Sequence, residues 1–143
     1  MAFKRILVAI DFSDIMDRIL STAKSVAETN GAEILCCTAL EIPPENTLLG
    51  GSLKPLIDLE AEREKARKKL EKAVADAGLT GLCSRILVLD YLPGDEIPEA
   101  AAREKCDLIL LGTHGRSGLK HFVVGSVAER VLRGSPVPVL VVK

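Results

Sequence analysis

DLILLGTHGRSGLKHFVVGS, residues 107–126, decides the fold. Asp107 to Leu111 is a short, continuous apolar run, the pattern of a strand buried on both faces. It leads directly into a segment with glycines at 112, 115, 118 and 125. Behind that segment Val127 to Leu132 returns to helical spacing, and Gly134 stops it. A buried strand, a glycine-rich turn and a helix in that order form half of a βαβ unit.

The same alternation extends to both ends of the chain. Ile6 to Ile10 is a buried strand that ends at Asp11. Ser13 is placed to cap the next helix, in which Met16, Ile19, Leu20, Ala23, Val26 and Ala27 recur on one face before Asn30-Gly31. Glu33 to Leu40 is a second strand, and residues 42–55, with three prolines and two glycines, are a loop. A long helix is expected over 56–77, with Leu59, Ala66, Leu70, Ala73, Val74 and Ala77 as its buried stripe. Ser84 to Leu89 is a third strand, Pro93-Gly94 a turn, and 97–105 a short helix. Pro136 to Val142 closes the chain as a fifth strand. The resulting order, βαβαβαβαβ, predicts an α/β fold, a parallel sheet with helices on both faces, in one domain over residues 1–143. Ligands of such sheets bind beyond the carboxyl ends of the strands, where the strand order reverses. Asp11, Ala39 and Gly112 stand at such ends.

Composition narrows the classes of function. The 143 residues include three Phe, one Tyr and no Trp, so Val, Ile, Leu and Ala must supply the core. Nineteen basic against twenty acidic side chains provide no positive field for nucleic acid. No apolar run is long enough to span a bilayer. The amino-terminal apolar stretch meets Asp11, Ser13 and Asp14 without a small-residue cleavage site, which is not the pattern of a signal peptide. Cys36, Cys37, Cys83 and Cys106 form no C-x-x-C pair and read as small hydrophobes in a reducing compartment. The expectation is a cytoplasmic protein that binds neither nucleic acid nor membrane.

The glycine segment carries the chemistry. Glycines let a ligand approach the main chain closely, and consecutive N–H groups beside a helix start make a site for phosphate. Arg116, Lys120 and His121 add cations there, although His121 reads more readily as a solvent-facing group and His114 as one that shapes the backbone or faces solvent. Ser126, with Glu129 three residues on, fits a capping box. It serves either as a cap alone or as a cap that also touches phosphate, with Glu129 turned toward Arg133. Asp11 is open to two readings of equal weight, an acceptor for ribose hydroxyls or a turn former. The chain has no G-x-x-x-x-G-K-[ST], no G-x-G-x-x-G after the first strand and no G-x-S-x-G.

The spacing Gly112-x₂-Gly115-x₉-Gly125-Ser126 resembles the G-x₂-G-x₉-G-[ST] motif of the universal stress protein family, in its ATP-binding branch. The Asp11-x-Ser13 start and the VPVLVV ending are similar too, so the likeness runs over essentially the whole chain. It implies a Rossmann-like adenine nucleotide-binding fold with five parallel strands in the order 3-2-1-4-5. It also implies ATP, or AMP, with Mg²⁺. Ala9 and Ile10 would line the adenine pocket, Asp11 would hold ribose, Ala39 would meet adenine through its backbone, and Leu111 would pack near the base. Gly112 and Gly115 would let the chain pass close to ribose and phosphates, with Arg116 beside them. Gly125, Ser126 and Val127 would bind the terminal phosphates. Ala9 departs from the proline common at that position, and residues 43–55 match no motif. Members commonly dimerise through the last strand, here 137–142, whose apolar edge invites pairing. Two functions follow: a nucleotide-dependent regulatory module in stress response with an unidentified partner, or a slow ATPase or autophosphorylating phosphotransferase. No residue stands out as a general base, which favours the module.

Overall fold

A computed structural model describes residues 2–40, 58–113 and 124–143. The elements are β1 (Arg5–Ala9), α1 (Met16–Asn30), β2 (Glu33–Ala39), α2 (Leu59–Asp76), β3 (Cys83–Leu89), α3 (Pro93–Arg103), β4 (Leu108–Gly112), α4 (Ser126–Gly134) and β5 (Val139–Val142). The five strands form one sheet in the order β3-β2-β1-β4-β5, every neighbouring pair parallel. This is the expected α/β architecture and strand order. Among the described residues no helix is long and apolar enough to cross a membrane.

Strand alternation sorts the core into two layers. Ile6, Val8, Ile34, Cys36, Leu108 and Leu110 face α1 and α2, meeting Ile19, Leu20, Ala23, Leu70 and Val74. Leu7, Leu35, Cys37, Ile109 and Leu111 face α3 and α4, meeting Ile97, Ala100, Ala101, Ala128 and Val131. Each fully buried Leu or Ile contributes about 1.5–3 kcal/mol, so the β-branched and aliphatic composition suffices without aromatics. β1 is flanked on both sides, and chain order reverses between β1 and β4.

Local chemistry shifts several expected boundaries. Ser13 does not cap α1. Its N–H donates to Asp11 Oδ1 at 3.0 Å in a tight turn, Phe12 takes φ 60°, and the helix begins beyond Ile15. The Ser13 hydroxyl is buried and has no hydrogen-bond partner among the described residues. Leu59 is exposed at the start of α2, where Asp58 Oδ1 caps the N–H of Ala61 at 3.2 Å. Residues 56 and 57 lie outside the described residues. Pro93-Gly94 is the first turn of α3 rather than a separate turn. Proline suits that position because its φ is helical and its missing N–H would be unpaired there anyway. Leu92, at φ 79°, makes the reversal out of β3. β5 begins at Val139 rather than Pro136, since Pro136 and Pro138 have no N–H for a ladder. Pro138 still accepts from the Ile109 N–H at 3.0 Å.

Candidate nucleotide site

The carboxyl ends of β1, β2 and β4 open into a cavity of about 240 Å³ on the side of the sheet covered by α3 and α4. Ala9, Ile10 and Asp11 come from the end of β1, Ala39 from β2, and Leu111 and Gly112 from β4. Gly125, Ser126 and Val127 enter from the start of α4. Nine site residues expected from sequence therefore share one cavity. The other two, Gly115 and Arg116, lie outside the described residues, as do His114, Lys120 and His121.

The sequence reading missed Cys37, Thr38, Leu89, Pro93, Ile97, Thr113 and Ala128 on the same walls. Cys37 and Thr38 had a usable signal, since they immediately precede Ala39 in a strand ending at the ligand side. Leu89, the last residue of β3, had the same signal, whereas Pro93 and Ile97 had none. Those two reach the cavity because α3 packs back across the sheet, which no local pattern encodes.

The α4 terminus has a defined geometry. Gly125 is its N-cap, extended at φ −62° and ψ 160°, so Ser126 is the first helical residue and not the cap. No side chain among the described residues caps this end. The first N–H groups of a helix have no intrahelical acceptor, so those of Ser126, Val127 and Ala128 meet the cavity edge as donors at the positive end of the helix dipole. Glu129 is held by Arg133 at 2.7 Å, away from that edge, as its spacing suggested. The Gly125 N–H donates to Thr113 O at 2.7 Å, and the Thr113 N–H donates to Val142 O at 2.8 Å. Thr113 thus fastens the chain leaving β4 both to its return at α4 and to the last strand.

Asp11 lines the cavity and also closes the Asp11–Ser13 turn through Oδ1. Both sequence readings of this residue are geometrically compatible, since a carboxylate accepts about four hydrogen bonds. Cys37 forms part of the floor, where burial and then the neighbouring Cys106 push its thiol up to about 12. It is a neutral, apolar surface at physiological pH. Gly112 also meets a constraint on the face away from the cavity. A Cβ there would lie 2.5 Å from Ile15 Cδ1 and 2.9 Å from Ile19 Cδ1, on the α1 side of the sheet. Its backbone still borders the cavity. Among the described residues no group of three His, Cys, Asp or Glu side chains is arranged to hold a metal ion.

The model of the universal stress protein family matches residues 2–143. The chain belongs to the universal stress protein family. A relative from Thermus aquaticus, the universal stress protein in the QAH/OAS sulfhydrylase 3′ region, is 36% identical over 142 residues, covering 99% of each chain. Universal stress protein MJ0531 of Methanocaldococcus jannaschii is 34% identical over 143 residues, or 99% of this chain and 82% of the relative. Among solved structures, a universal stress protein in complex with cAMP is similar at TM-score 0.67 and 25% identity, with 100% of this chain and 98% of that one covered. The cavity of this universal stress protein is formed at the switch point between β1 and β4, where open parallel sheets hold their ligands.

Proposed function

We propose that this universal stress protein domain, residues 1–143, binds ATP with Mg²⁺ and acts as a nucleotide-dependent regulatory module in stress response. The observation that carries the reading is the start of α4, which has no side-chain cap among the described residues, at the mouth of an apolar cavity. The cavity, at about 240 Å³, is smaller than the roughly 300–1,000 Å³ of drug-sized ligand sites. It suits a base and sugar, with the phosphates outside along α4. The similar structure that holds cAMP supports an adenine ligand.

The backbone supports adenine in particular. Pairing of β1 with β2 ends at Ala9 and Cys37, followed by the Ile10 N–H to Cys37 O bond at 2.8 Å. β2 runs on to Ala39, so its β1-facing backbone there borders the cavity instead of a strand. A backbone N–H and C=O side by side match the acceptor and donor on the adenine edge and mismatch guanine, whose groups are reversed. In this reading Ala9, Ile10 and Leu111 flank the base, and Asp11 accepts from ribose. Gly125, Ser126 and Val127 donate to phosphate, with Gly115 and Arg116 joining from beyond the described residues. Mg²⁺ is held chiefly by phosphate oxygens and water, as is usual for this ion, and neutralises their charge. AMP shares the base and ribose contacts. The unpaired cysteines fit a cytoplasmic protein. The β5 edge, with Leu140 37% exposed, fits a homodimer.

Calorimetric titration with ATP, AMP and GTP in the presence of Mg²⁺ tests the reading. Saturable binding of ATP and AMP is expected, with GTP weaker by about tenfold or more, the cost of one mispaired buried polar contact. Absence of adenine nucleotide binding, or equal affinity for GTP, overturns it. Nucleotide turnover above background, lost in Asp11→Asn, would assign the chain to the ATPase reading instead.

A further inference from the structure

The turn that follows β1 is strained at one residue. Phe12 takes φ 60°, in the left-handed region, where a bulky aromatic side chain is a genuine outlier. Such a conformation costs free energy, persists only where its surroundings hold it, and collects at binding sites. Two contacts hold it here. The ring is half-buried against the layer of core that faces α1 and α2. Lys69, from α2, lays its Nζ over the same ring, 4.3 Å from the centroid, a cation–π contact. Phe12 stands between Asp11, which lines the cavity on the α3/α4 side, and Ser13, whose N–H donates to Asp11 Oδ1 at 3.0 Å. Neighbouring side chains are thus sent to opposite faces of the sheet. The φ torsion of Phe12 sets Asp11 relative to Ser13, so a return to negative φ swings the carboxylate away from the Ser13 N–H and undoes the turn.

We infer that Phe12 and Lys69 are positioning residues for the nucleotide site, anchoring the turn on the α1/α2 side so that the Asp11 carboxylate is preset toward the ribose hydroxyls of a ligand in the cavity. The inference rests on Asp11 accepting from ribose, as proposed above, and names what holds that carboxylate in place. Presetting a group raises affinity by removing the cost of ordering it on binding. The pair therefore acts on ligands that carry ribose hydroxyls, and leaves the contacts to base and phosphate as they are.

The test titrates the parent chain and its variants with ATP and with 2′,3′-dideoxy-ATP in the presence of Mg²⁺. The parent should prefer ATP by about tenfold to a hundredfold, as for a hydrogen bond to a charged group. Asp11→Asn should lose most of that preference. Glycine takes left-handed φ freely, so Phe12→Gly relieves the strain and removes the anchor, and it should lose the preference too while binding dideoxy-ATP as the parent does. Phe12→Tyr, which keeps the ring, should retain it. Lys69→Met should lower the preference by about twofold to fivefold, and Lys69→Arg should restore it. Lys69 is exposed, so its variants decide the matter if Phe12→Gly fails to fold. Hydrogen exchange at the Ser13 amide reads the turn without nucleotide, and should quicken about tenfold in Phe12→Gly, the loss of one hydrogen bond. A preference lost in Asp11→Asn but intact in Phe12→Gly and Lys69→Met overturns the inference and leaves the nucleotide reading standing. Equal losses for ATP and dideoxy-ATP in those variants, or a Ser13 amide exchanging at the parent's rate in folded Phe12→Gly, also overturn it, because the pair would then serve the fold alone. A parent without the preference, or Asp11→Asn that keeps it, defeats the ribose reading of Asp11 and the inference with it.

Discussion

The two faces of the sheet carry the same alternating aliphatic residues and end in opposite ways. On the α1/α2 face packing continues to the carboxyl edge, where the side-chain ends of Ile15 and Ile19 lie so close to Gly112 that an added methyl group would have to push them aside. On the α3/α4 face the helices are shorter, 11 and 9 residues against 15 and 18, and a cavity remains at that edge. Protein interiors normally pack to crystal-like density. A chain that fills one face to the last methyl and leaves the other open, lined by Ala9, Ala39, Gly125 and Ala128, has given up packing where a ligand can replace it.

The sharpest way to break this contrast is a matched pair of enlargements. Gly112→Val adds volume to the filled face and should lower stability by about 1–3 kcal/mol, the usual cost of overpacking. Ala9→Leu adds volume to the open face and should leave the denaturation midpoint nearly unchanged while adenine nucleotide affinity falls by about tenfold to a hundredfold, the usual cost of overpacking now met by the ligand. If Ala9→Leu destabilises as strongly as Gly112→Val, the cavity is not a void held for a ligand.

A smaller effect separates the ends of the helices from their faces. Ser126→Pro removes one N–H and the hydroxyl from the start of α4. Gly125, at ψ 160°, already has the conformation that a following proline requires. Thermal unfolding should therefore be unaltered, and ATP affinity should drop about tenfold to a hundredfold, as for a lost hydrogen bond to a charged group. Equal losses for ATP and adenosine would show that α4 does not read phosphate.

The smallest effect distinguishes two thiols. Cys83, on the α1/α2 face, is lowered to about 7 from the ordinary 9.0, chiefly because the Cys36 thiol donates to its sulfur. Cys37, on the cavity side, is pushed up to about 12 by burial. Because the thiolate is the form that reacts and its share grows with pH, alkylation of Cys83 should rise through half its maximum near pH 7, while Cys37 stays unlabelled in the folded protein. Cys36→Ala should move the Cys83 profile toward higher pH. Peptide mass mapping after brief iodoacetamide treatment reads both, and labelling of Cys37 first would reverse the assignment of open and closed thiols.

Much of the fold was legible because its signals are local. Five apolar runs separated by helical periodicity and glycine stops can hardly be anything but alternating strands and helices. The glycine spacing from Gly112 to Ser126 identified the family without any coordinates. Boundaries were less legible, because they depend on which of several local bonds wins. Ser13 looked like a cap, yet its N–H went to Asp11. Ser126 looked like a cap, yet Gly125 took that position. A capping pattern in sequence states which groups are able to pair, and the incoming direction of the chain selects among them.

The sequence by itself determined the class of fold, the family, and the strand-end positions of Asp11, Ala39 and Gly112. These follow from hydrophobic period, chain polarity and the conformational freedom of glycine, all properties of near neighbours. Only the tertiary structure decided that Pro93 and Ile97 complete the cavity wall, that the ends of Ile15 and Ile19 crowd Gly112, and that Arg63 and Arg67 lie over the β3 edge. Those are contacts between residues far apart in the chain, set by how α1, α2 and α3 cross the sheet, and no run of neighbouring residues contains them.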